Sequence, residues 1–361
     1  MTKILHFEGG LGNQMFQFAY YRYLQSLGHH IKLDIYSPSS KKHGGFRLFD
    51  IFPNISKKDV LPYFVARPYF LFYGDLLKKV FKINKTTNGG DNFLKPVIPD
   101  NIIWIRGLWQ SYKYLLAIEP QLNKDFVFTD FTDSYNKEIA EKIQKSESVS
   151  IHIRRGDYLK PRVQITMGNI CDTEYYTEAI SIIKTHVGNP SFFVFSDDIE
   201  WVKKNLNLPD ATYINYNKKE NSFRDMQLMS LCKHNIIANS SFSWWGSWLN
   251  KHSNKVVVAP KKWMHNNNAV VIDDLIPPEW HRAGKNVPNV SLLLSGEENI
   301  NDILNQSYWD FELITSVKSE DKRVKPLNTQ PTGNIVISVS DVWKYSDRNY
   351  LRNVLLDEIK D

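Results

Sequence analysis

Cysteine is nearly absent from this chain of 361 residues, which carries only Cys171 and Cys232. Two thiols cannot staple a fold of this length or complete a zinc site without histidines, so a disulfide-built secreted domain is not expected. Long apolar runs are missing as well. The longest stretch free of Lys, Arg, Asp and Glu, residues 234–250, is interrupted by Asn and Ser and cannot cross a bilayer. The opening MTKILHFEGG meets Glu8 and two glycines too early for a signal peptide and reads as a first strand. A reducing, cytoplasmic location follows as the expectation. Charge of one sign is lacking too: 45 basic against 39 acidic residues leave +6, too weak a field for a dedicated nucleic-acid binder and equally suited to a small anionic ligand. With 42% hydrophobic and 23% charged residues, disorder, collagen-like repetition and coiled coil are excluded.

Aromatic side chains, in contrast, are abundant: 20 Phe, 18 Tyr and 10 Trp, 13% of the chain. Rings of this kind suit the apolar faces of sugars and equally suit an aromatic core. Strand and helix signals alternate from the start. The run KILHF, a glycine turn, a helical period over 14–27 closed by Gly28, and HIKLDIY make a β-α-β opening. The alternation resumes at SVSIHI (148–153) and continues through SFFVFSDD (191–198), ATYINY (211–216), NIIANS (235–240) and KVVVAP (255–260), with helices between. Strands alternating with helices predict a parallel α/β sheet. A junction is expected near 146. After Pro277 and Pro278 the pattern weakens into a polar tail with a last strand and helix. Segment 57–85 holds seven Lys or Arg, two Asp and seven Phe or Tyr; this composition suits peripheral contact with an anionic membrane surface, and equally a helical pair with solvated lysines.

Four motifs carry chemistry. GGLGNQ (9–14) joins strand one to helix one, where backbone amides can hold an anion. Gly10 and Gly12 imitate a dinucleotide fingerprint, but Met15 occupies the third glycine position, which weakens an NAD-binding oxidoreductase reading. Asn13 and Gln14 at the loop exit could both aim amides at a ligand or act as caps. HIRRGDY (152–158) lies at a strand end, where α/β sheets contact ligands. Neighbouring residues on a strand face opposite ways, so one of Arg154 and Arg155 is expected to reach the ligand while the other braces the loop against Asp157. In FSDD (195–198), Asp198 is expected to cap the helix from Ile199, leaving Asp197 as a ligand candidate. No two aspartates stand two positions apart, so the Asp-X-Asp of metal-dependent nucleotide-sugar transferases is absent. In RDMQLMSLCKHNIIANSSFSWWGSWLN (224–250), Asn239, Ser240 and Ser241 gather at a strand end and a helix start, an anion-sized site. Trp244, Trp245 and Trp248 fall at helical spacing and are expected in the core. No Ser-His-Asp, Cys-His or paired-carboxylate arrangement is visible.

GGLGNQMFQFAYYRYL (9–24), HIRRGDY, FSDDIEWVKKNL (195–206), the 224–250 segment and VVVAPKKW (256–263), in that order, resemble glycosyltransferase family 11, the α-1,2-fucosyltransferases, over roughly residues 1–285. The resemblance implies an α/β GT-B architecture: an acceptor-side Rossmann-like domain at 1–146, a GDP-fucose-binding Rossmann-like domain at 147–285, and an extension at 286–361 of unassigned role. It implies no metal and no cofactor, GDP-fucose as co-substrate, and inverting transfer to the 2-hydroxyl of a terminal galactose on a glycan. By position, Arg154 would grip the donor diphosphate, His152 contact the guanosine, Asp225 accept from the guanine N1 and N2 hydrogens, and Ser240 and Ser241 hold the β-phosphate. The Gly-Asn-Gln loop, shared with protein O-fucosyltransferases, would place Asn13 beside the leaving oxygen. Asp157 is the one motif-borne carboxylate available as general base. Gly12, Arg155, Asp197, Asn239 and Phe242 complete the expected donor-binding set. The alternatives are a same-fold transferase with another linkage or GDP-sugar, and a catalytically idle carbohydrate-binding protein.

Overall fold

The computed structural model describes residues 2–37, 44–66, 83–85, 104–265 and 272–285, and in the C-terminal part 290–294, 300–304, 311–317, 319, 321–326, 329–333, 335–339 and 351. Chain order begins with β1 (Lys3–His6), α1 (Leu11–Ser26), β2 (Ile31–Asp34), α2 (Leu48–Ile51), β3 (Ile83–Lys85), β4 (Trp104–Arg106) and α3 (Lys113–Asp125). The four strands form a parallel sheet in the order β2-β1-β4-β3. Helix α1 ends as its sequence requires: Gly28 adopts φ +84°, its N–H donates to Gln25 O, and His29 N–H donates to Leu24 O, which satisfies the last carbonyls.

A second series follows: α4 (Ser134–Gln144), β5 (Ser148–Ile153), α5 (Pro161–Met167), α6 (Thr173–His186), β6 (Ser191–Ser196), α7 (Ile199–Asn205), β7 (Thr212–Ile214), α8 (Phe223–Leu231), β8 (His234–Ile236), α9 (Ser241–Trp248), β9 (Val257–Pro260), α10 (Ile272–Leu275) and β10 (His281–Ala283). The six strands are parallel and ordered β10-β9-β8-β5-β6-β7, so the chain reverses its direction of travel between β5 and β8. Such a switch point opens a crevice beyond the carboxyl ends of the two strands. The crevice faces the loop between β1 and α1, and the two Rossmann-like units facing across it make the GT-B arrangement. Ile139, Ala140 and Ile143 of α4 pack with Phe193, Phe195 and Leu228 of the second unit. By packing, the junction therefore lies before α4 rather than near 146.

The tail is a folded unit of its own. Strands β11 (Val290–Leu294), β12 (Phe311–Thr315), β13 (Val324–Pro326) and β14 (Ile335–Val339), with a short helix α11 (Asn301–Leu304), form a third parallel sheet ordered β13-β12-β11-β14. Its apolar side chains, Leu292, Phe311 and Leu313 among them, pack together with Ile165 of α5. The weak pattern after Pro278 showed only its last strand, because no regular strand–helix alternation runs through this part of the sequence.

The two main units share one core. Phe16 of α1 lies 4.6 Å from Trp244 and 5.0 Å from Trp245 of α9 between ring centroids, and Phe126 lies 5.2 Å from Trp245. Helix α1 is buried on almost every side because the sheet covers one face and α9 covers another. Each fully buried ring contributes about 2–3 kcal/mol of apolar burial. In segment 57–85, residues 67–82 lie outside the described residues. Before them, Tyr63, Phe64 and Val65 are exposed, with Phe64 at 74%. Residues 86–103 also lie outside. Among the described residues no helix is long and apolar enough to cross a membrane.

Candidate active site

A cavity of about 900 Å³ lies between the two units, at the switch point of the second sheet. The first unit supplies Gly10–Asn13, Arg47 and Ile51. The second supplies His152, Arg154, Asp157, Tyr158, residues 195–200, the 215–225 loop and helix start, and Ser240–Phe242. Ten of the twelve residues expected from the sequence line it: Gly12, Asn13, His152, Arg154, Asp157, Asp197, Asp225, Ser240, Ser241 and Phe242.

Arg154 is the arginine of the pair that faces the cavity. Its Nη2 lies 2.6 Å from Asp157 Oδ1 and its Nη1 2.9 Å from Asp197 Oδ2. The Asp157 contact lacks hydrogen-bond alignment, so that pair is close but not locked. Arg155 is a correction to the expected donor-binding set. It turns away, its Nε donates to Asp198 Oδ2 at 3.0 Å, and its guanidinium lies 4.1 Å from the Trp201 ring centroid. Arg155 thus braces the loop against Asp198, and Asp157 pairs with Arg154 instead. Asp198 also caps α7, accepting from Trp201 N–H at 3.1 Å. Asn239 is the second correction. Its Nδ2 donates to Met167 O and Trp263 O, and at 1% exposure it braces the turn from below without lining the cavity.

His152, the penultimate residue of β5, is almost fully buried close to Arg154. Burial, then the neighbouring guanidinium, push its pKa down to about 3, so the ring is neutral at working pH. Its Nδ1 has no hydrogen-bond partner among the described residues, and the ring packs on Phe242 at 5.7 Å. Burial pushes the Asp225 carboxyl up to about 7, against a hydrogen bond from Asn217 that lowers it.

The units meet at Gly12. A Cβ there would stand 2.5 Å from the Ser241 carbonyl carbon, and Trp245 Nε1 donates to Gly12 O at 3.0 Å. Only a residue without a side chain lets the starts of α1 and α9 touch. Ser241 Oγ donates to Asn13 Oδ1 at 3.0 Å, and Gln110 Nε2 donates to the same oxygen at 2.9 Å. Asn13 is thereby fixed against the start of α9, where Ser240 is the N-cap and accepts from the Phe242 N–H. Gln14 is structural: its Nε2 donates to Gly9 O and Gly45 O, and its Oε1 accepts from Arg47 N–H. Trp244, Trp245 and Trp248 are core, as their spacing predicts.

No local motif marks Arg47, Gln110 or Asn217. Arg47 reaches across the cleft, and its Nη2 donates to Glu220 O at 3.0 Å. Lys219, beside it, holds the left-handed φ of +52° on the cavity rim.

A model of glycosyl transferase family 11 matches residues 4–283. The chain belongs to glycosyltransferase family 11. It is 35% identical over 305 residues to the alpha-1,2-colitosyltransferase of Escherichia coli, covering 78% of this chain and 99% of that protein. It is 32% identical to the O-antigen biosynthesis glycosyltransferase WbnK of the same species, covering 72% of this chain and 94% of the relative. The galactoside 2-alpha-L-fucosyltransferase Sec1 of Mus musculus is 24% identical over 42% of this chain and 43% of its own length. The cavity lies within the span that the family model matches. The matched span covers the first two units and stops before the third sheet.

Proposed function

We propose that this chain is an inverting galactoside 2-α-L-fucosyltransferase that moves L-fucose from GDP-β-L-fucose to the 2-hydroxyl of a terminal galactose. The supporting observation is the convergence of Arg154, the α9 N-terminus and Asn13 on one cavity at the switch point. The acceptor oxygen attacks the anomeric carbon as the bond to the β-phosphate oxygen breaks, so the sugar inverts and the electron pair leaves with GDP. Negative charge grows on the diphosphate, and Arg154 with the amides at the start of α9 meets it there. Asn13 stands beside the leaving oxygen, and Asp225 accepts from the guanine edge. Asp157, which lines the cavity beside Arg154, is on this reading the carboxylate that takes the acceptor proton. The reaction runs without a metal on this reading, because fixed cations of the chain serve the leaving group. Asp197 and Asp198 are engaged by Arg154, Arg155 and backbone N–H groups, which leaves them poorly suited to hold a divalent ion.

A colitosyl donor is the second reading, favoured by the 35% identity to the colitosyltransferase. Colitose lacks the 3-hydroxyl of fucose, so both donors would share the diphosphate and base contacts. The relation to WbnK favours an acceptor of the O-antigen kind. The test is GDP release from GDP-fucose with lactose in the presence of EDTA, followed by linkage analysis, with GDP-colitose run in parallel. A 2-linked fucosyl product supports the first reading. Turnover of GDP-colitose alone transfers the assignment to the second, and dependence on added metal refutes the metal-free step.

A further inference from the structure

Asp225 is the end of a chain of side chains that starts outside the cavity. Its Oδ1 accepts from Asn217 Nδ2 at 2.8 Å. Asn217 is paired reciprocally with Asn136 of α4, each Nδ2 donating to the other's Oδ1 at 2.9 Å. Asn136 Nδ2 donates also to Asp133 Oδ2 at 3.0 Å, and Asp133 caps α4 by accepting from the Asn136 backbone N–H. Asn136 and Asn217 are 1% and 7% exposed.

A carboxamide nitrogen only donates and its oxygen only accepts. Burial raises the Asp133 pKa, but the hydrogen bonds from Asn136 outweigh it and hold that carboxyl below its ordinary range. An ionised Asp133 requires the nitrogen of Asn136. The Asn136 oxygen then requires the nitrogen of Asn217, and the same nitrogen serves Asp225. Turning either amide over would set oxygen against oxygen. The donor order is thus dictated from the end remote from the cavity, and Asp225 Oδ1 always meets a donor. Ionised, Asp225 shows acceptors to the cavity; protonated, it must carry its proton on Oδ2 and shows a donor.

The other charged groups near Asp225 do not set this order. Lys218, Lys219 and Glu220 line the rim on the 215–222 loop, with Arg47 facing them and His152 neutral on β5. Tyr135 on α4 has its phenol raised by burial and then by Asp225. Arg224, next to Asp225 on α8, donates instead to Thr129 O and Gln227 Oε1.

We propose that Asn217 and Asn136 are positioning residues that keep Asp225 ionised with its acceptors toward the cavity, and so set the preference of the site for a guanine over an adenine nucleotide. This rests on the reading that Asp225 meets the guanine edge. Guanine offers two donors there, from N1 and N2, whereas adenine N1 is an acceptor that an ionised carboxylate repels.

The experiment is calorimetric binding of GDP and ADP to the full chain across pH. The ratio of GDP to ADP affinity of the unaltered protein should rise as pH rises through about 7, where Asp225 loses its proton, because the two diphosphates titrate alike and only guanine gains from the ionised carboxylate. Asn217→Ala and Asn136→Ala should each weaken GDP binding at neutral pH by roughly tenfold and move the midpoint upward. Asn136→Ala decides the matter, because residue 136 does not line the cavity and the Asp133 cap uses its backbone N–H. A merely structural role would lower affinity without moving the midpoint. Unchanged midpoints in both variants overturn the proposal. Asp225→Asn separates the two ideas: undiminished GDP affinity sinks the guanine reading and the inference with it. Reduced affinity there, with unmoved midpoints in the asparagine variants, sinks the positioning role alone.

Discussion

Replacing Arg154 by lysine isolates what the guanidinium fork does. The arginine touches two carboxylates at once, through Nη2 at 2.6 Å and Nη1 at 2.9 Å. A lysine keeps the charge but offers one compact ammonium, which cannot hold both carboxylates and a diphosphate in a fixed plane. Ground-state attraction for GDP survives in part, whereas the alignment that meets growing charge on the leaving diphosphate is lost. Removing one preorganised donor of this kind costs about 2.7–4 kcal/mol of transition-state stabilisation, a fall in kcat of roughly a hundred- to a thousandfold. KM for the donor should rise much less. The fold should barely respond: the side chain is 35% exposed, and ion pairs so placed contribute about 0–1 kcal/mol. Tm should drop by no more than about 2–4 °C. The assay is GDP release under saturating donor, paired with a thermal melt. Activity within about threefold of the unaltered protein refutes the argument, since that change is under 1 kcal/mol. A melt lowered by far more than the stated range would show a structural residue instead.

Three further outcomes are expected. Asp157→Asn should lower kcat by about 10–100-fold if the carboxylate only orients Arg154; a larger loss, with the acidic limb of the pH–rate profile abolished, would make it the general base. Gly12→Ala drives a methyl against the Ser241 backbone and should cost about 1–3 kcal/mol of stability by overpacking, read as a lowered denaturant midpoint; an unchanged midpoint would mean that α1 and α9 can separate freely. Tyr63, Phe64 and Val65 replaced together by serine should reduce sedimentation with anionic vesicles if the basic, aromatic 57–85 segment touches membranes; equal sedimentation removes that reading.

How much of this was legible follows from where the information lies along the chain. Motifs confined to one strand end and its turn could be read directly: HIRRGDY placed Arg154, FSDD placed the Asp198 cap, and the serine turn placed the start of α9. What local pattern could not show is which side chain turns outward at an irregular loop. Arg155 and Asn239 were each expected at the ligand, and each is taken up by partners far away in sequence, Asp198 and Trp201 for one, Met167 and Trp263 for the other. Asn217, Asn136, Gln110 and Arg47 were invisible for the same reason. A single asparagine in a loop carries no periodicity, and Asn13 meets Gln110 and Ser241 across 97 and 228 residues. Of the third sheet only the last strand was read, since the polar stretch 319–334 before it breaks the strand–helix alternation that marks the first two sheets.

The shared core of α1 and α9 bears on how the cavity works. If the units were joined only by a linker, the distance between Asn13 and the amides of α9 would vary with every opening, and catalytic alignment would have to be rebuilt at each turnover. Here those groups sit on the line of contact. Separating them would expose Phe16, Trp244 and Trp245, which are fully buried, and each such ring costs about 2–3 kcal/mol to bring into water. Asn13, Gly12 and Ser241 therefore form a standing surface, already aligned before any donor arrives. Gln14 ties the same loop to the backbone of residues 45 and 47, so Arg47 inherits that fixed frame while its guanidinium alone spans to Glu220. Breaking one hydrogen bond from a partly exposed arginine is far cheaper than parting an aromatic interface. Entry and exit of a nucleotide are accordingly expected at the rim formed by Arg47 and the 215–222 loop, with the floor of the cleft held still.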